Sequence, residues 1–238
     1  MKRLTTLALL SVLLGVFSIQ SAFAGPFGID MGMSLDKVKQ VCKTTPKRIE
    51  NDLYEIIPPK TNGLFARYIV RIDPTYGIYW MKAIGKNIYT NGYGDALRST
   101  FDNLVESIRK TYGEESYKND SLKEGSIWGD SKYFMLSLQQ EDRTLYAIWS
   151  KQIDLMTELL NDPKITSATE TERQNILSDT TAMQNLLLDK ISKYQKLPSD
   201  IATIGVFANA LSTTIGCVTL EYSFSNEAAV QAKADSVF

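Results

Sequence analysis

The chain has no histidine among its 238 residues. This absence removes the commonest general base, the commonest metal ligand and the side chain that titrates near neutral pH. A Ser-His-Asp or Cys-His catalytic unit therefore cannot be built from this chain alone. The two cysteines are also too few for a zinc site of the ordinary Cys/His kind. We expect a protein that is not an enzyme, with no cofactor and no metal site; a hydrolase that uses only carboxylates stays open as an alternative.

A strong charge of either sign is lacking as well. The 26 Lys and Arg residues are nearly balanced by 27 Asp and Glu residues, and the basic residues form no dense run. Nucleic acid is therefore not expected as a partner, because phosphate backbones are bound by concentrated positive charge. The hydrophobic fraction of 44% is typical of a globular protein rather than a disordered one.

The first 24 residues have the three-part pattern of a secretory signal peptide. Lys2 and Arg3 precede an apolar run over residues 4–17, and the small residues Ala22 and Ala24 follow it. The run is too short to span a bilayer of about 30 Å, so we expect no stable membrane anchor after cleavage. The pattern predicts cleavage between Ala24 and Gly25, which leaves residues 25–238 as one soluble domain in the periplasm.

Cys42 and Cys217 are the two cysteines, near opposite ends of the exported part of the chain. An even number of cysteines in an oxidising compartment favours a structural disulfide. The Cys-x-x-Cys spacing that is typical of a redox-active pair is absent. We therefore predict a bridge between Cys42 and Cys217.

Hydrophobic periodicity predicts an α+β fold. Tyr68, Val70 and Ile72 alternate with polar residues, as in a half-buried strand, while Leu97 and Phe101 lie on one apolar face of a helix. The expected strands are 53–57, 66–73, 78–84, 131–139, 143–150 and 213–224. The expected helices are 35–42, 95–112, 153–162, 169–195, 201–211 and 226–238. This order predicts an antiparallel sheet packed by helices, with a helical segment at about 153–211 before the last strand.

Ser34 begins the first predicted helix and is followed by Lys37 in a Ser-x-x-Lys pattern. That pattern carries the nucleophile of serine β-lactamases, but the further motifs of those enzymes are missing. The same four-residue pattern recurs at residues 107–110, which shows how little it specifies. We expect Ser34 to act as a helix N-cap.

Aromatic residues are concentrated around the expected strand 78–84 and the loop that follows it. Tyrosine and tryptophan are common at protein interfaces, because they bury a large area and keep a polar group. Strand packing explains Tyr79 and Trp80 equally well, whereas Tyr89 and Tyr93 lie among polar residues. Tyr89 and Tyr93 are therefore the candidate interface residues.

The Gly32-Met33-Ser34 turn, followed by Lys37-Val38 in an amphipathic helix, resembles small bacterial envelope domains. These are the SmpA/OmlA-type outer-membrane assembly lipoproteins and the β-lactamase inhibitor protein fold. The Leu-Gly-x-Pro that usually follows the helix is replaced by residues 42–46, and the lipid-carrying cysteine is missing. The resemblance implies a protein-binding module without catalysis.

Three functional hypotheses follow. The first is a soluble periplasmic protein that binds and blocks or escorts an envelope protein, of the inhibitor, immunity or phage superinfection-exclusion type. The second is an envelope assembly or maintenance factor. The third is the carboxylate-only hydrolase, which needs two facing Asp or Glu side chains in a cleft.

Overall fold

The computed structural model describes residues 25–178 and 197–236. The signal segment 1–24 and the later part of the expected helix 169–195 lie outside these residues. The helices are α1 (Leu35–Val41), α2 (Asp95–Tyr112), α3 (Phe134–Gln139), α4 (Lys151–Leu160), α5 (Pro163–Thr166), α6 (Glu170–Ser178) and α7 (Glu227–Asp235). The strands are β1 (Lys47–Arg48), β2 (Leu53–Ile56), β3 (Phe65–Asp73), β4 (Gly77–Gly85), β5 (Ile88–Tyr89), β6 (Tyr117–Leu122), β7 (Arg143–Ser150), β8 (Ile201–Ala210) and β9 (Ile215–Phe224).

All nine strands form one antiparallel sheet, so the predicted α+β class is confirmed. Eight strands follow the order β1-β2-β3-β4-β9-β8-β7-β6, and β5 also pairs with β9. The strand β9 therefore lies in the middle of the sheet, although it is the last strand in the chain. It joins β4 on one side to β8 on the other.

Helix α2 covers one face of the sheet, which we call the inner face. The helix ends where the sequence predicts, because the Gly113 N–H bonds to the Arg109 carbonyl at 2.8 Å and its φ of 82° suits glycine. Each buried apolar side chain contributes roughly 1.5–3 kcal/mol of hydrophobic stabilisation. The buried residues of α2 are Leu97, Phe101, Leu104, Val105 and Ile108.

Two segments have the opposite secondary structure to the one predicted. Residues 131–139 were expected as a strand, but they form a 3-10 turn, Ser131–Tyr133, and then α3. Residues 201–211 were expected as a helix, but Ile201–Ala210 is the strand β8 between β7 and β9. The helical segment thus precedes β8 and β9, rather than only the last strand.

The cap and the tail agree with the sequence. Ser34 accepts a hydrogen bond from the Lys37 N–H at 3.3 Å, as a helix N-cap does. The tail forms α7 over Glu227–Asp235. No helix among residues 25–178 and 197–236 combines the length and apolar character that crossing a membrane requires.

The predicted disulfide is wrong in this structure, because Cys42 and Cys217 both carry free thiols. Cys42 follows α1 and packs against the inner core, while the Lys43 N–H bonds to the Ile57 carbonyl next to β2. Cys217 lies on β9 next to Val218, whose side chain belongs to the inner core. Because neighbouring side chains of a strand point to opposite faces, Cys217 faces the other side of the sheet. From β2 to β9 is three strand steps, roughly 14 Å at about 4.8 Å per step. A disulfide needs Cα atoms within about 7 Å.

Burial also makes both thiols poor nucleophiles. Desolvation raises the pKa of Cys42, and it raises the pKa of Cys217 despite the opposing effect of Lys82. A thiol with a raised pKa forms less of the reactive thiolate. Neither cysteine therefore has the character of a redox-active group.

Candidate binding surface at one end of the sheet

Loops and turns from several parts of the chain meet at one end of the sheet. At this end the β8–β9 turn, the loop between β5 and α2, and the segment before α3 come together. The Thr90 N–H bonds to the Thr214 carbonyl at 2.9 Å, and the Met135 N–H bonds to the Gly92 carbonyl at 3.0 Å. We call this the open end; the opposite end, which contains the β3–β4 turn and the start of α4, is the tied end.

Tyr89 and Tyr93 both lie at the open end, and both are exposed as the sequence predicts. Tyr89, at the end of β5, is 75% exposed, and Tyr93 is 47% exposed. Of the other aromatic residues in that stretch, Tyr79 is buried and Tyr76 lies in the turn at the tied end. The structure therefore separates Tyr89 and Tyr93 from the rest of the aromatic cluster.

Further exposed apolar side chains at the open end include Leu211 and Ile127. Leu211 is 55% exposed; its N–H bonds to the carbonyl of Ile215, the residue that pairs with Tyr89. Ile127 is 78% exposed and precedes Trp128, whose ring stacks edge-on against Tyr133 at 5.5 Å. The sequence does not reveal Leu211 as a neighbour of Tyr89, because 122 residues separate the two. The Gly-Ser-Ile-Trp-Gly run at 125–129 was a possible signal, since it places two large apolar residues in a turn.

Close backbone contacts hold the Tyr93 loop in place. A Cβ at Gly92 would lie 2.7 Å from the Lys132 carbonyl oxygen, and a Cβ at Gly94 would lie 2.4 Å from the Phe134 ring. Gly94 also has a φ of 72°, which favours glycine. The side chain of Asn91 donates to Asp95 at 2.7 Å at the start of α2. Tyr93 is therefore presented on a well-anchored loop, which lowers the entropy cost of binding.

A groove of about 430 Å³ opens beside Leu211, between β7 and β8. These strands pair from Tyr146 opposite Phe207 to Ser150 opposite Thr203. Beyond Tyr146, residues 143–145 of β7 pair only with β6, and residues 208–210 of β8 pair only with β9. In the described register, β7 and β8 do not pair with each other there. The two strand edges thus separate towards the open end, and α3 packs against both on the inner face. We call this space the β7–β8 groove.

Aromatic and charged side chains both line the groove. The Tyr146 and Phe207 rings lie 6.0 Å apart at the point where the strands separate. Arg143 donates to Asp120 at 2.6 Å and to the buried Ser137 hydroxyl at 3.3 Å, and it lies 5.2 Å above the Phe134 ring. These contacts fix the Arg143 side chain, which is 16% exposed, with its positive group at the side of the groove. Glu141 also lines the groove, from a turn where its φ is 58°.

Neither of two cavities lined by described residues brings two carboxylates together. The β7–β8 groove has one carboxylate in its lining, Glu141. A second cavity of about 490 Å³ near β1 has Glu55, which accepts two hydrogen bonds from Arg67 at 2.9 and 3.1 Å. The Arg67 hydrogen bonds lower the pKa of Glu55, which suits an ion pair rather than a general acid. Within the part of the chain that the structure describes, no three acidic or sulfur side chains are grouped to hold a metal ion.

Comparisons with known proteins find no matching family model, no matching curated protein and no matching solved structure. The resemblance to SmpA/OmlA-type and β-lactamase inhibitor domains therefore stays a prediction from the sequence. The surface described above is the basis on which a function can be proposed.

Proposed function

We propose that this protein is a soluble periplasmic binding protein without catalytic activity, and that it blocks or escorts another envelope protein. The single observation that carries the proposal is the exposure of Tyr89, Tyr93 and Leu211 at the end of the sheet where the β7–β8 groove opens. Exposed apolar side chains that lie together usually mark an interaction site. The periplasmic location rests on the signal peptide expected at residues 1–24.

The composition of this surface favours a protein partner. Two exposed tyrosines offer the combination of ring area and hydroxyl that is enriched in interface hot spots. The β7–β8 groove continues from Leu211 and adds two strand edges, at residues 143–145 and 208–210. An extended segment of the partner can pair with such an edge while its side chains enter the groove. A partner that supplies one extended segment and one apolar patch would fit both features.

Position-specific crosslinking tests the proposal. A photoreactive amino acid is placed at position 89 or 93 of the exported chain and irradiated in intact cells. The matched control is position 76, because Tyr76 is an exposed tyrosine (37%) at the tied end. We expect one envelope protein to be joined from positions 89 and 93 and not from position 76. Equal crosslinking from all three positions, or none from any, would contradict the proposal.

The affinity of the captured partner gives a second measurement. Replacing Tyr89 and Tyr93 together by serine should weaken binding by tenfold or more, since a hot-spot residue is worth about 2 kcal/mol or more. Tyr76→Ser should leave binding unchanged. If the partner is part of an outer-membrane assembly complex, the assembly-factor hypothesis is favoured over blocking.

A further inference from the structure

The first residues that the structure describes fold back on themselves. The Gly28 N–H bonds to the Gly25 carbonyl at 2.9 Å, and the Ile29 N–H bonds to the Pro26 carbonyl at 3.0 Å. This turn brings the backbone nitrogen of Gly25 to 2.6 Å from the Asp30 carboxylate oxygen Oδ1. The residue that follows the expected cleavage point thus donates to an acidic side chain.

Only glycine fits at position 25 in this arrangement. A Cβ there would lie 2.0 Å from the Ile29 carbonyl oxygen and 2.9 Å from the Ile29 carbonyl carbon. Both are backbone atoms, so a side-chain movement cannot relieve the contact. The Gly25 nitrogen is therefore held close to Asp30 by the shape of the turn.

The turn is anchored in the protein core. The Phe27 ring packs against Phe65 at 5.7 Å and Tyr68 at 5.0 Å, and its carbonyl accepts a hydrogen bond from the Lys60 N–H at 3.0 Å. Ile29 is completely buried. Because neighbours on both sides of Gly28 are fixed, the distance between Gly25 and Asp30 is a feature of the folded protein.

We propose that Asp30 is the receptor for the amino terminus that signal cleavage creates at Gly25. In the cleavage, a signal peptidase adds water across the Ala24–Gly25 peptide bond. The water oxygen stays on Ala24 as a carboxylate, and the Gly25 nitrogen gains protons and becomes an ammonium. The neutral amide donor opposite Asp30 then becomes a positive one, and charge-assisted hydrogen bonds are roughly twice as strong as neutral ones.

This proposal rests on the predicted signal cleavage and not on the binding function. It assigns a role to Asp30, which lies outside the open end and the β7–β8 groove. Signal cleavage would then release the domain and also complete an ion pair between Gly25 and Asp30 within it. The new amino terminus would also be withdrawn from chemical modification and from aminopeptidases.

Labelling of the α-amine tests the ion pair. The full chain is exported in a Gram-negative host, purified from the periplasm and treated with an amine-reactive reagent at pH 7. Peptide mass spectrometry then follows the N-terminal peptide. An ammonium paired with a carboxylate gives up its proton less readily, so the neutral, reactive amine is scarcer. We expect the Asp30→Asn variant to be labelled about five- to tenfold faster than the unaltered protein.

The control is Asp36→Asn, which removes an exposed carboxylate from α1 that pairs with Lys39. Its labelling rate should equal that of the unaltered protein. Equal rates for the unaltered protein and Asp30→Asn would overturn the proposal, and so would an N-terminus other than Gly25. If Asp30→Asn does not accumulate, the unaltered protein is compared with itself in urea, where labelling should accelerate by the same factor. No acceleration in urea would also overturn the proposal, whatever the crosslinking from position 89 shows.

Discussion

The tied end and the open end of the sheet differ in how their side chains are used. At the tied end, polar side chains connect elements that are distant in the chain. The Trp149 indole donates to the Gly113 carbonyl at 2.8 Å, and the Asn226 amide donates to the Tyr76 and Ile78 carbonyls at 2.9 and 3.0 Å. At the open end, Tyr89 and Tyr93 are exposed beside the β7–β8 groove, although exposed apolar side chains such as Met156 occur at the tied end as well. Substitutions of these tied-end side chains are therefore expected to cost more stability than substitutions of Tyr89 and Tyr93 at the open end.

A small polar cluster shows how the tied end is built. Arg71 donates to Asp52 at 3.0 Å, and the Tyr79 hydroxyl donates to the same carboxylate. Burial, followed by the hydrogen bond to Asp52, raises the pKa of Tyr79 to about 12. These three residues come from β3, β4 and the residue before β2, so the cluster joins three neighbouring strands at one edge. Its contacts can be removed one at a time, which makes the contrast between the ends testable.

The largest effect is expected at Trp149, which is 1% exposed at the end of β7. Trp149→Ala should lower the free energy of unfolding by about 3–5 kcal/mol, because it leaves a cavity and an unpaired carbonyl at the end of α2. Urea unfolding followed by circular dichroism measures the change. Trp149→Phe keeps most of the ring and should lose less. A loss below 1 kcal/mol for the alanine variant would contradict the stabilising role of the tied end.

An intermediate and pH-dependent effect is expected at Tyr79. Tyr79→Phe removes the hydroxyl that donates to Asp52 and should cost about 1–2 kcal/mol at neutral pH. The folded pKa of about 12 lies above the usual 10, so the protonated form is favoured by folding. This contribution is complete below pH 10 and is lost as the pH rises towards 12. The difference in stability between the two proteins should therefore shrink over that window; a constant difference would show that the phenol does not titrate as described.

The smallest effect on stability is expected at the open end. Tyr89→Ser and Tyr93→Ser should each change the free energy of unfolding by no more than about 0.5 kcal/mol, since exposed substitutions rarely do more. The same urea experiment applies. A loss above 1.5 kcal/mol would mean that these tyrosines support the fold. It would contradict the expected difference in stability cost between the tied end and the open end.

The sequence predicted elements well where one apolar face is clear. The helix at 95–112 has the predicted bounds, since Leu97, Phe101 and Leu104 face one sheet and the other side is polar. The sequence of β8 favours a helix, because the strand lies between two others and is apolar at most of its positions. Such a run has no alternation from which a strand can be recognised. For α3, the deciding feature was local: the Asp130 side chain accepts from the Lys132 N–H at 3.0 Å and begins a helical turn.

The candidate site was predicted only in part for a related reason. The exposure of Tyr89 and Tyr93 follows from their polar neighbours, which the sequence shows directly. That Leu211 lies near Tyr89 depends on the pairing of β5 with β9, and one sequence does not contain that information. The predicted Cys42–Cys217 bridge failed in the same way, because strand order and sheet face decide whether two thiols can meet.

The central position of β9 has a consequence for the order of folding. Residues 215–224 join β4 to β8, so the two halves of the sheet become one only after the last tenth of the chain is available. Completion of the sheet therefore depends on pairing β4 with a strand about 140 residues later in the chain, and such non-local pairings form slowly.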